Sequence, residues 1–149
     1  NNRGITYDNL QQYATAIADY TCAIQLDPYY EEAHNNRGLA YSQLQQYDAA
    51  LVDYNRAIRL NPTNPEIYVN RGITYHKLQQ YDLAFEDFIQ AIQLDPQNAK
   101  AHFNVGVMLG NQGKLSEALT HFEKAVQLGH PQGSQYVVQV KKMLWKSLP

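Results

Sequence analysis

The chain has 149 residues, 12 Lys and Arg against 14 Asp and Glu, a net charge of −2 and 44% hydrophobic content. That length allows one domain with its own core, and the near-balanced charge leaves no basic footprint for nucleic acid. Cys22 is the one cysteine and so forms no intramolecular disulfide; no apolar run approaches the roughly 18–20 residues of a membrane span, no signal peptide is visible, and the compartment stays open with the cytoplasm favoured.

The tripeptide Asn2-Arg3-Gly4 returns as Asn36-Arg37-Gly38 and Asn70-Arg71-Gly72, and one further step of 34 residues lands on the edited copy Asn104-Val105-Gly106. A fixed period of this size predicts a stack of small supersecondary units. Residues 1–30 form the first unit. It lacks the lead-in that Glu31-Glu32-Ala33-His34 gives the second, so the chain reads as starting inside a first helix, as a fragment of a longer array. Such an N-terminal end would expose surface that an upstream repeat covers, a route to self-association.

The elements follow in order. A helix is expected at Tyr13–Leu26, then pairs at Glu31–Leu44 and Tyr47–Leu60, Pro65–Leu78 and Tyr81–Leu94, and Ala99–Gln112 and Leu115–Leu128. Within Tyr47–Leu60 the apolar residues Tyr47, Ala50, Leu51, Tyr54, Ala57 and Ile58 run at three- and four-residue steps. Asp or Asn before Pro28, Pro62 and Pro96 marks the turns between units. The interior glycines Gly38, Gly72 and Gly106 cost helix stability, about 0.5–1 kcal/mol each against alanine, so their recurrence predicts that a neighbour passes close to the backbone. The units span 1–30, 31–64, 65–98 and 99–130. Residues 131–149 form a terminal amphipathic helix, about Gln132 to Leu148, with Tyr136, Val137, Val140, Met143, Leu144 and Leu148 on its greasy face.

Other positions keep the same register: Tyr7, Tyr41, Tyr75 and Leu109; Ala16, Ala50, Ala84 and Ala118; Tyr20, Tyr54, Phe88 and Phe122; Ala23, Ala57, Ala91 and Ala125. This pattern resembles the tetratricopeptide repeat, a helix-turn-helix unit. The resemblance covers almost the whole chain and implies an all-α, right-handed superhelical solenoid whose first helices line a concave side, closed by a C-terminal capping helix.

No catalytic constellation is legible. No two histidines stand at i, i+4 with a carboxylate partner, and no phosphate-cradling glycine loop or nucleophile motif occurs. No enzyme active site, metal site or cofactor is expected within the chain. Arg3, Arg37 and Arg71 stand where the family carries leucine, each with an aspartate sixteen residues on: Asp19, Asp53 and Asp87. Both change together in the fourth unit, to Val105 and His121, which predicts an Arg–Asp pair tying helix to helix.

The functional candidates are the asparagine row Asn2, Asn36, Asn70 and Asn104. An amide offers a donor and an acceptor, so a ladder of amides can hold a peptide backbone whatever its side chains. The resemblance implies such a ladder, known in the long glycosyltransferase arrays that add N-acetylglucosamine. Helical spacing places Leu39, Ile73, Val107, Lys77 and Lys100 on the same stripe, flanked by Phe103 as an apolar anchor. The expected partner is a protein or peptide segment, apolar near Phe103 and acidic near Lys77 and Lys100. A lysine- and arginine-rich clamp for a terminal carboxylate looks absent, because Glu32, Asn35, Glu66, Val69 and Phe103 hold its places and only Lys100 is basic. The sequence therefore suggests a protein-interaction scaffold. Its alternatives are an element self-associating through its ends and a recruiting arm of an enzyme outside these residues.

Overall fold

The computed structural model describes residues 12–146. Among them are eight α-helices and no strand: α1 (Tyr13–Leu26), α2 (Glu31–Gln43), α3 (Tyr47–Leu60), α4 (Pro65–Lys77), α5 (Tyr81–Leu94), α6 (Ala99–Asn111), α7 (Leu115–Gln127) and α8 (Gly133–Lys146). Each helix packs mainly on its neighbours in sequence, and α2 also touches α4. The result is an all-α helical repeat in which α2–α3, α4–α5 and α6–α7 are the paired units.

Local chemistry sets the boundaries. The Asn64 side chain accepts from the Glu66 backbone N–H at 3.1 Å, with Pro65 at the first helical position, and Asn98 accepts from Ala101 N–H at 2.9 Å. Both satisfy donors that a helix start leaves unpaired. The turns within units need a left-handed residue after the first helix. Gln45 (φ 59°) and Gln79 (φ 60°) supply it at a steric cost, whereas the fourth unit uses Gly113 (φ 76°). First helices stop one residue short of expectation because Leu44, Leu78 and Gln112 are their C-caps.

The recurrent glycines have a direct cause. A Cβ on Gly38, Gly72 or Gly106 would lie 2.9, 2.7 or 2.8 Å from the ring edge of Tyr54, Phe88 or Phe122 respectively. The close neighbour is thus the aromatic side chain of the unit's own second helix, sixteen residues on. These rings are fully buried, as are Ala50, Ala57, Ala84, Ala91, Ala118 and Ala125, so the core runs as a chain of clusters along the stack.

Helix α8 packs on α7. Val140 is buried and Tyr136, Val137 and Leu144 are half-buried against the last cluster. Met143, expected inside, is 47% exposed, and Val138 and Trp145 face solvent. The contact with α7 covers only a narrow stripe of the terminal helix, and Leu148 lies outside the described residues.

Candidate functional site

Three features surround the first helices of the described units: a tether to the preceding loop, a polar junction between helices in the second and third units, and the asparagine row.

The tether uses the residue four positions before each glycine. His34 Nε2 lies 3.2 Å from the Pro28 carbonyl oxygen, Tyr68 Oη donates to Pro62 O at 3.1 Å, and His102 Nε2 lies 3.2 Å from Pro96 O. A different side chain does the same task in the middle unit, which is why the position varies between His and Tyr.

The junction is the Arg–Asp pair read from sequence. Arg37 Nε and Nη2 reach Asp53 Oδ2 and Oδ1 at 2.7 and 2.8 Å, and Arg71 makes the same fork on Asp87 at 2.8 and 2.6 Å. The hydrogen bond with Asp53 raises the Arg37 pKa further above its ordinary value. Each arginine also reaches back to the second helix of the preceding unit: Arg37 Nη1 donates to Thr21 Oγ1 at 3.1 Å and Arg71 Nη1 to Asn55 Oδ1 at 2.6 Å. Sequence pairing within units missed this third partner. The fourth unit replaces all three members, with buried Val105, Ile89 packed on its core cluster, and His121. Arg3 lies outside the described residues.

Along the asparagine row, Asn36, Asn70 and Asn104 are all half-buried rather than sealed, and so are Leu39, Ile73 and Val107. Asn70 Nδ2 donates to Asn35 Oδ1 in the preceding unit at 3.1 Å, and Asn104 Nδ2 donates to its own helix at Lys100 O at 2.9 Å. Asn2 lies outside the described residues. Lys77 and Lys100 are exposed, with Lys77 Nζ 5.8 Å from the centroid of the Tyr47 ring. Val107 and Asn111 border a cleft of about 120 Å³ shared with Leu115, Tyr136, Gln139 and Met143.

Phe103 does not fit the role of a free anchor. It is 8% exposed, stacked on His130 with ring centroids 4.0 Å apart and edge-on to Tyr136 at 5.0 Å. The loop after α7 and helix α8 fold over it, which a stripe drawn on α6 alone does not reveal. Val69, next to Asn70 on α4, is likewise buried at 2% exposure.

The structure also joins two residues that sequence spacing kept apart. His102 and His121, on α6 and α7, bring their Nδ1 atoms to 3.2 Å.

Comparison with known proteins agrees with the all-α repeat fold. The TPR repeat family matches residues 4–45 and 40–79, and the tetratricopeptide repeat matches again at 65–98 and 88–120. Among solved structures, a crystal structure of MamA superposes with a TM-score of 0.77 at 26% identity, over 88% of this chain and 77% of that one. MamA from Desulfovibrio magneticus RS-1, from residue 41 to its end, gives 0.75 at 26%, over 87% and 73%. The first TPR of Spaghetti (RPAP3), bound to an HSP90 peptide, gives 0.71 at 23%, over 76% and 92%. No curated protein matches the sequence.

Proposed function

We propose, from the premise that the chain belongs to the tetratricopeptide repeat family, that it is a non-catalytic interaction scaffold holding an extended protein segment along its first helices. The observation that carries this reading is the accessible row of Asn36, Asn70 and Asn104 at one register of α2, α4 and α6.

The hydrogen bonds refine how the row would work. In Asn70 and Asn104 one of the two amide N–H groups is spent inside the protein. That orients the amide and leaves Oδ1 without a hydrogen bond among the described residues, ready for a backbone N–H of the partner. Leu39, Ile73 and Val107 sit one turn on and would take apolar side chains. Lys77 and Lys100 would favour acidic ones nearby. Each amide-to-backbone bond contributes about 0.5–1.5 kcal/mol, so several units must act together. The test is selection from a library of extended peptides, with the bound site mapped by amide shifts. Perturbation concentrated on α2, α4 and α6 supports the reading, and perturbation confined to second helices refutes it.

A second reading rests on the exposed Val138, Met143 and Trp145 of α8: self-association through an end surface. Concentration-dependent sedimentation abolished by Trp145→Ser would favour it.

A further inference from the structure

We propose that His102 and His121 form a binding site for a divalent transition-metal ion of the zinc class. The Pro96 carbonyl can only accept a hydrogen bond, so His102 Nε2, 3.2 Å away, carries the proton. The His102 Nδ1 lone pair is then aimed at His121 Nδ1, 3.2 Å distant. A carbonyl fixing the far ring nitrogen is the outer-shell support that metal-ligating histidines ordinarily have.

The separation suits an ion placed between the two nitrogens. Zinc–nitrogen bonds of about 2.0–2.1 Å spanning that gap subtend roughly 100–105°, near a tetrahedral edge. On binding, His121 moves its proton from Nδ1 to Nε2, so a neutral pair stays neutral.

Comparison between units explains why the site belongs to the fourth. In the second unit His34 Nδ1 faces Asp53 at 3.2 Å, but the Arg37 fork already occupies that carboxylate with a fixed cation. In the fourth unit apolar, buried Val105 replaces the arginine. The nearby Lys124 ammonium is held on Gln127 Oε1 at 3.3 Å.

A cleft of about 440 Å³ opens beside the pair, bordered by Ile92, Pro96, Gln97, Thr120 and Lys124. No cluster of three or more His, Cys, Asp or Glu suited to a metal occurs among the described residues. Two positions on the ion are therefore left to water or to an incoming ligand.

Calorimetric titration of tag-free protein with Zn²⁺ near neutral pH tests the site, alongside His102→Tyr, His121→Gln and His76→Gln. His102→Tyr keeps the tether, as Tyr68 does to Pro62, so folding is preserved. One ion per chain is expected, bound at least about tenfold more weakly by the His102 and His121 variants and unchanged in His76→Gln. Long-range ¹H–¹⁵N spectra should show both Nδ1 signals moving. Absence of binding to the wild type, or equal affinity in His102→Tyr, overturns the site.

Discussion

The Arg71 guanidinium closes a fork on the Asp87 carboxylate, Nε to Oδ2 at 2.8 Å and Nη2 to Oδ1 at 2.6 Å, while its remaining nitrogen holds Asn55 on the previous unit. Three helices from two units thus meet at one side chain. Asp87 is 6% and Arg71 19% exposed, so removing the cation alone strands a nearly buried carboxylate. Arg71→Val should cost about 3–5 kcal/mol in urea unfolding. Changing the junction wholly to apolar residues, with Asn55→Ile, Arg71→Val and Asp87→Leu, should cost far less, because the fourth unit carries Ile89 and Val105 at two of these places. A triple variant less stable than Arg71→Val would contradict this.

Gly72 faces the Phe88 ring so closely that a Cβ would sit 2.7 Å from Cε1. Gly72→Ala should therefore destabilise by about 1–3 kcal/mol despite alanine's better helix propensity. Adding Phe88→Leu to Gly72→Ala should recover part of that loss, visible as a partial return of the thermal midpoint.

Gln45 and Gln79 hold left-handed backbone where the fourth unit has Gly113. Replacing either with glycine removes strain at that point and should stabilise by up to about 1 kcal/mol. Thermal unfolding of Gln45→Gly, Gln79→Gly and the double variant checks the sign and, since the sites lie in different units, near-additivity.

Burial first, and then the Lys100 charge, lower the His130 pKa from its ordinary 6.5. A histidine depressed in the folded state favours the neutral ring. Its contribution is present above pH 6.5 and is lost as pH falls through the lowered folded value. With chelator present, the C-terminal end should loosen in that window. His130→Phe, which keeps the stack on Phe103, should flatten the stability profile there. An identical acid response in wild type and variant would remove His130 as its source.

Much of the fold is legible because the period of 34 forces each unit to bury the same face. The glycine register, the helix pairs and the Arg37–Asp53 and Arg71–Asp87 forks all follow from comparing units. The unread parts depend on where a third element falls. Thr21 and Asn55 enter the arginine junctions from the preceding unit. Phe103 is covered by His130 and Tyr136 from beyond its own helix pair. His102 and His121 meet across the α6–α7 crossing, and no i, i+4 rule detects a pair on separate helices.

The most direct measurement is the affinity of a library-selected peptide for the wild type and for the Asn36→Ala, Asn70→Ala, Asn104→Ala variant, at matched helicity. Three lost amide bonds of about 0.5–1.5 kcal/mol each should weaken binding at least tenfold. Equal affinity for both proteins would move the partner off this row and contradict the account.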